Sequence, residues 1–411
     1  MATWMFFCPP LFGHTNPTLP LVAEMVRRGE RVVYYNAASF REAIEPTGAE
    51  FRAYHRDLPS LPAAMSVRQI ELVPPLVEAT ELFLDTELQR ILADPPDFVV
   101  HDYVAFWGAA VSDVTGAPRL GTTPGLMLNE NVSKLAKSIV PPELLPGGAG
   151  VRWSDIPLLL SVIRRRFRTN RKYGLKYRWL KDLSHAEFNI AFTSPEIQPH
   201  ADEFADRFCF VGPPELRQED DSGFDFESLT GAPLVYISLG TLFNDRPEFF
   251  ESCYEALGGL DVQVVLSLGG RNTELPAPPK NFILGRFPPQ LTLLGRAAAF
   301  LTHSGISSVC EAVQIGVPLV LYPQIWDQYL MAHQAELAGA GVSLPRDPTP
   351  AQIREKVTAV LSDPSYRTNS RELGRRLAAA GGARRAADEL MKWAESARGS
   401  SSPSGARMQL A

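Results

Sequence analysis

The sequence predicts two doubly wound α/β domains, each an open parallel sheet with helices on both faces, facing each other across a cleft. Three observations carry this. The chain has 411 residues, and at roughly 100–200 residues per domain it holds two or three folded units. Short aliphatic runs alternate with helical stretches in both halves, as βαβ units do. Between them the run PPELRQEDDSGFDFESLTG, from 213 to 231, is rich in Pro, Gly, Ser and acid and reads as a linker.

The elements follow in order. Trp4 to Cys8 is an apolar run that reads as a buried strand. A loop with Gly13, a helical pattern from about Pro17 to Arg28 and the β-rich RVVYY at 31–35 complete a βαβ unit. DFVVHD at 97–102 is a later strand, followed by the helix-like AFWGAAVSDVTG and the strand candidate PRLGTT. After the linker the same grammar restarts with PLVYISLG (233–240), a helix from about Pro247 to Leu257, VQVVLSLG (262–269), NFILGRF (281–287), AAFLTHSG (298–305) and PLVLYP (318–323). The expected organisation is an N-terminal domain over 1–213, a linker over 214–231 and a C-terminal domain over 232–383. A terminal helix over 384–398, for which packing back on the N-terminal domain is one placement, leads into a Ser/Gly tail over 399–411 expected to be disordered.

Composition narrows the function. Hydrophobic residues make up 45% and charged ones 21%, as in a soluble globular protein. Forty Lys plus Arg against 46 Asp plus Glu leave a net charge of −6, without the basic excess of a nucleic-acid binder, so any anionic ligand must be held locally. Cys8, Cys209, Cys253 and Cys310 stand far apart with no CxxC pair, which argues against a zinc site or disulfide framework and fits a reducing, cytoplasmic setting. The start, MATWMFFCPP, lacks a positive n-region and is broken by Pro9 and Pro10, so it is not expected to be a signal peptide. No apolar run reaches the roughly 18 residues of a spanning helix.

In open α/β sheets, ligands sit beyond the carboxyl ends of strands. There THSGISSVCEA (302–312) delivers His303, Gly305, Ser307 and Ser308 to a helix continuing to Glu311. A helix N-terminus presents unpaired N–H groups and a positive dipole end, and with a glycine and two hydroxyls it suits a phosphate. A plain helix cap by Ser307 or Ser308 is the simpler alternative. SLGT puts Ser238, Gly240 and Thr241 after the first strand of the second half as another small-residue wall. YPQIWDQ (322–328) offers Trp326, Asp327 and Gln328, where carboxylate and amide can bind sugar hydroxyls or Asp327 can merely sit near an N-cap. In the N-terminal half, GHTNP places His14 in the first strand-to-helix loop and DFVVHD ends in Asp102. A His backed by a carboxylate is the unit that activates a hydroxyl nucleophile, the carboxylate holding the tautomer. His101 is a rival to His14, but successive strand residues point to opposite faces, so only one of 101 and 102 can face the cleft.

Together, GHTNP, VVHD at 99–102, SLGT, FPPQLTLL (287–294), HSGISSVCEA (303–312) and GVPLVLYPQIWDQ (316–328) resemble the family 1 nucleotide-sugar glycosyltransferases of the GT-B fold, especially their bacterial macrolide and antibiotic branch. The resemblance covers nearly the whole chain. It implies that Phe287 stacks on the nucleobase beside Pro288, Pro289 and Gln290. It further implies that His303, Gly305, Ser307 and Ser308 hold the diphosphate, Glu311 the ribose, and Asp327 with Gln328 the sugar, while His14 and Asp102 form the catalytic base and its partner. The family usually has Trp at the position of Phe287 and Asn or a small residue at that of Ser307, and Trp326 is bulky beside the sugar pair. The implied reaction is inverting, metal-independent transfer of a hexose to a hydroxyl of a hydrophobic acceptor such as a macrolide, polyketide, flavonoid or steroid. UDP-glucose is the first donor and a dTDP-deoxysugar the alternative. No cofactor is expected beyond this nucleotide-sugar co-substrate, and no metal, because DDSGFDFE (220–227) lacks the DxD spacing.

Other classes fit less well. A dehydrogenase would need GxGxxG after the first strand, which is absent, and LAGAGVSL (337–344) lacks the third Gly. A GT-B nucleotide-sugar epimerase would keep the diphosphate site but need acid/base carboxylates at the sugar. A membrane-docking lipid glycosyltransferase is suggested by 158–181, with nine basic residues between Arg164 and Lys181, none acidic, and Phe167, Tyr173, Tyr177 and Trp179 interleaved. That stretch fits an anionic membrane surface or a solvated helix face over the acceptor cleft. Acceptor segments are expected within 55–90 and 124–181, and monomer and homodimer stay open.

Overall fold

Strands that read as continuous apolar runs need cover on both faces, which helices on each side of a parallel sheet supply. The computed structural model describes residues 1–59, 69–145, 153–176, 186–216, 223–240, 244–269 and 275–400 and contains two such sheets. The first comprises β1 (Thr3–Phe7), β2 (Arg31–Asn36), β3 (Glu50–Ala53), β4 (Phe98–Asp102), β5 (Arg119–Thr123), β6 (Asn189–Ala191) and β7 (Phe208–Phe210) in the order β3-β2-β1-β4-β5-β6-β7. Counting helices of seven residues or more, this half carries α1 (Leu19–Arg27), α2 (Gln69–Ala93), α3 (Phe106–Thr115), α4 (Glu130–Ile139) and α5 (Ile156–Tyr173). Alternation along β1 sends Trp4, Phe6 and Cys8 to the face covered by α1, and Met5 and Phe7 to the face covered by α2 and α3.

The second sheet comprises β8 (Leu234–Ser238), β9 (Gln263–Ser267), β10 (Phe282–Gly285), β11 (Ala297–Thr302), β12 (Leu319–Leu321) and β13 (Gly341–Ser343) in the order β10-β9-β8-β11-β12-β13. Its helices are α6 (Pro247–Leu257), α7 (Gln290–Arg296), α8 (Ile306–Ile315), α9 (Trp326–Leu337), α10 (Pro350–Ser362) and α11 (Pro364–Ala378). Leu234 and Tyr236 face α8, α9 and α11, while Val235 and Ile237 face α6 and α10. The Gly-rich run at 337–344 contains β13, whose Gly341 allows close strand approach: a Cβ there would come within 2.4 Å of the Leu319 carbonyl oxygen.

A last helix, α12 (Gly382–Ser400), returns to the first domain. Ala386, Ala387, Leu390 and Ala394 complete the core around Leu21 and Met25, and Arg28 donates to Asp388 at 2.6 Å. The outgoing and returning crossings touch, since the Gly382 N–H donates to the Val211 carbonyl at 2.7 Å. Gly212, at φ +81°, lies so near Leu377 that a Cβ would sit 2.6 Å from its carbonyl oxygen.

Two boundaries differ from the sequence expectation. Within the run read as linker over 214–231, Phe224, Phe226 and Leu229 pack against the second domain's core, because three apolar side chains among the acids have a surface to bury. The terminal helix extends to Ser400, past the expected start of the tail, whose residues from 401 lie outside the described ones.

The domains meet through an apolar cluster in which Met127, Val132 and Ala136 pack with Leu330, Trp326 and Tyr329 of α9. Arg346 pairs with Glu143 across the same junction. Among the described residues, no helix is long and apolar enough to cross a membrane.

Candidate active site

Each sheet order reverses direction once, between β1 and β4 in the first domain and between β8 and β11 in the second. Loops diverge at such switch points and leave a crevice. His14 follows β1 and Asp102 ends β4. Ser238 ends β8 with Gly240 two residues beyond it, and His303 and Gly305 follow β11. Polar residues at scattered sequence positions are thus brought to two crevices by strand order alone.

At the first crevice, His14 Nδ1 lies 3.0 Å from Asp102 Oδ2. The carboxylate is fully buried and its Oδ1 accepts the Val104 N–H at 2.9 Å, so its direction is fixed from two sides. A carboxylate only accepts, which puts the proton on Nδ1 and leaves the Nε2 lone pair free to accept one. His101 is turned away: its ring is buried, with Nδ1 3.0 Å from the Asp102 main-chain oxygen. Strand alternation is the reason, and it leaves His14 as the imidazole that meets the Asp102 carboxylate.

Tyr103 stacks on the His14 ring, with centroids 5.6 Å apart. Burial first, and then the negative fields of Asp102 and Asp327, push its phenol pKa up. Asp327 belongs to the first turn of α9 in the other domain, so two carboxylates from opposite domains act on one ring. Phe12, two residues ahead of His14, stands 65% exposed against Phe40 and adds an apolar wall beside the imidazole.

The second crevice is built around His303. Its ring fits between Gly240 and Gly305, where a Cβ would approach ring atoms to 2.7 and 2.4 Å. Desolvation holds His303 down to about 4, partly opposed by a hydrogen bond with the Ser238 backbone, so the imidazole is neutral near pH 7. Gly240, at φ +74°, donates its N–H to Ser238 Oγ at 3.4 Å. Thr241 lies outside the described residues. Gly305 is the N-cap of α8 and no side chain caps the helix, so neither Ser307, exposed, nor Ser308, nearly buried, serves as the cap. The first N–H groups of α8 therefore keep no side-chain acceptor, the condition under which a helix start attracts an anion.

Farther along the same side, Gln290 Nε2 donates to Glu311 Oε2 at 2.6 Å. Pro288 packs on Gly285, and Phe287 is 63% exposed with the Arg286 guanidinium over its ring at 5.9 Å. Asp327 Oδ1 is buried without a hydrogen-bond partner, and burial raises this carboxyl to about 6 although the backbone N–H groups of 327 and 328 oppose the shift. Gln328 Oε1 accepts the Gln324 main-chain N–H at 2.8 Å. Trp326 packs into the interdomain cluster.

Sequence reading missed Tyr103, Phe12 and Ser304. Ser304 is in the left-handed region at φ +65°, with a buried, unpartnered Oγ between His303 and Gly305. A non-glycine residue so held is strained, and such strain gathers at functional sites. Its place inside HSG was the available signal. Among the described residues, no group of three or more His, Cys, Asp or Glu side chains is arranged to hold a metal.

Comparison with known proteins agrees with this geometry. Residues 251–392 match the family model of the erythromycin biosynthesis protein CIII-like C-terminal domain. The chain is 32% identical over 394 residues to the NDP-glycosyltransferase YjiC of Bacillus subtilis (strain 168), spanning 93% of this chain and 94% of that one. It is 28% identical over 400 residues to the oleandomycin glycosyltransferase of Streptomyces antibioticus, spanning 92% and 87%. The crystal structure of the kitacinnamycin glycosyltransferase superposes with a TM-score of 0.79 at 28% identity, covering 95% of this chain and 98% of that one. Two switch-point crevices facing each other, with these relatives along the full length, establish that the chain belongs to the family 1 nucleotide-sugar glycosyltransferases of the GT-B fold, in their macrolide and antibiotic branch.

Proposed function

We propose that the protein transfers a hexose, with UDP-glucose as the donor, to a hydroxyl of a hydrophobic small-molecule acceptor, inverting the anomeric centre without a metal. The observation that carries this reading is the His14–Asp102 pair, a buried carboxylate orienting a half-buried imidazole at the rim of a crevice. His14 Nε2 takes the acceptor O–H proton while that oxygen attacks the anomeric carbon and the bond to the nucleoside diphosphate breaks. Asp102 stabilises the imidazolium. One displacement inverts configuration. Phe12 beside the base supports an apolar acceptor.

Donor roles follow the second crevice. Phe287 stacks on the base, Gln290 sets Glu311 toward the ribose, and Asp327 with Gln328 receives sugar hydroxyls. The α8 N-terminus, Ser307, Ser308 and Ser304 receive the diphosphate. His303, neutral in the free protein, gains a proton more readily once the anion is beside it, since an opposite charge favours the charged form. A dTDP-sugar is the second reading, favoured by the open edge of Phe287, which leaves room for a thymine methyl.

The test offers UDP-glucose and dTDP-glucose with a panel of lipophilic aglycones and detects products by mass spectrometry. Wild-type protein is expected to give hexosylated product, and His14→Ala to lose roughly two to four orders of magnitude in rate with nucleotide affinity unchanged. Near-normal turnover by His14→Ala would remove His14 as the base.

A further inference from the structure

A helix that packs through one face has no need of large apolar side chains on the other, yet α5 carries them. Its inner face, with Val162 and Thr169, is buried, and Arg165 and Lys172 pair with Glu81 and Asp85 of α2. At roughly 100° per residue the opposite face aligns Leu160, Ile163 and Phe167 in one strip. They are 46, 57 and 74% exposed, and Trp153, just ahead of the helix, is 89% exposed. Arg164, Arg168 and Arg171 flank the strip on the same outward side, and Ile163, Phe167 and these arginines line one open depression of about 680 Å³. No acidic residue occurs from 156 to 176, in a chain whose net charge is −6.

Single exposed apolar residues are ordinary, but a contiguous patch marks an interaction surface. Two features select its partner. The strip and its arginines lie on a single helix around one open depression, whereas a stable protein interface needs about 800 Å² of matched surface on each side. Apolar residues with flanking arginines, on a helix that contributes no acid of its own, also fit a fluid, negatively charged surface that adapts to the depression. We propose that α5 docks the protein on an anionic lipid bilayer, its apolar strip entering the head-group boundary and its arginines meeting lipid phosphates. This goes beyond the acceptor reading and does not depend on it.

The test is flotation of the purified chain with vesicles of about one-third phosphatidylglycerol in phosphatidylcholine, against pure phosphatidylcholine, at about 50 mM and about 0.5 M salt. The protein is expected to float with the anionic vesicles at low salt and to lose most of that binding at high salt. Replacing Arg164, Arg168 and Arg171 by Gln should lower partitioning on the order of a hundredfold, since each basic residue near such a surface contributes about a factor of five. Ile163→Glu with Phe167→Glu should abolish it while leaving circular dichroism and UDP affinity unchanged. Equal partitioning on both vesicle types, or retention by the variants, would overturn the proposal. A concentration-dependent dimer in sedimentation that the Glu variants dissolve, with no vesicle binding by the parent, would overturn it in favour of a second copy of the chain.

Discussion

Asp327 holds its charge at a cost that a single substitution should release. Its carboxyl has an ordinary value of 3.8 and is raised to about 6 by burial. The folded form therefore binds the proton more tightly than the unfolded chain between those values, and stability falls as pH rises through that window, the full penalty being present above about 6. At about 1.4 kcal/mol per pH unit the penalty is about 3 kcal/mol. Asp327→Asn removes the charge but keeps the shape, so its stability relative to wild type should improve by about that amount between pH 4 and pH 8. The absolute gain will be smaller, because the new amide also needs partners in a place where Oδ1 has none. Calorimetric or urea unfolding of both proteins across this pH range reads the difference, with a relative rise in Tm of roughly 3–4 °C at the alkaline end. Turnover should fall in the same variant, as expected of a group destabilised in the free protein to receive sugar hydroxyls. A stability difference that is the same at pH 4 and pH 8 would refute this account of Asp327.

Asp102→Asn should slow transfer at least about a hundredfold with little change in donor binding, measured as kcat against donor Kd; full activity would uncouple the pair. Gly305→Ala puts a Cβ 2.4 Å from His303 Nε2, so the ring must move and UDP affinity by calorimetry should drop about tenfold. Phe287→Ala should raise the UDP dissociation constant roughly tenfold, on the scale of ~1–3 kcal/mol for base–aromatic stacking, and Phe287→Trp should shift kcat/KM toward the uracil donor; an unchanged donor ratio would mean that Phe287 does not read the base. Chelation with EDTA should leave turnover intact, and a chelator-sensitive rate would contradict the metal-free displacement.

The parts of the fold legible in sequence were those with enough residues to show a period. The helix from Pro247 to Leu257 and the strand ending in Asp102 coincide with α6 and β4. β6, β7 and β13 span three residues each, too few for alternation to register. At the site, the His14–Asp102 pair was readable because alternation along β4 permits one of two neighbours to face the crevice. The neutral state of His303 and the Tyr103 ring shared by Asp102 and Asp327 were not readable. Each depends on burial and approach between segments far apart in sequence, which no local pattern encodes.

The return of α12 to the first domain has a consequence for anyone recombining this protein with a relative. An exchange at the linker, the boundary suggested by a linear map, would leave Leu21 and Met25 facing a foreign helix in place of Ala386, Leu390 and Ala394. Because a buried leucine replaced by a smaller side chain costs about 2–5 kcal/mol, a mismatch over one helical face is enough to unfold a graft. A chimera that borrows an N-terminal half must therefore bring residues 382–400 from the same parent, with the second seam cut before Gly381–Gly382, where both glycines have positive φ and the chain leaves α11. In this architecture the transplantable unit is discontinuous, and its smaller piece is the last helix.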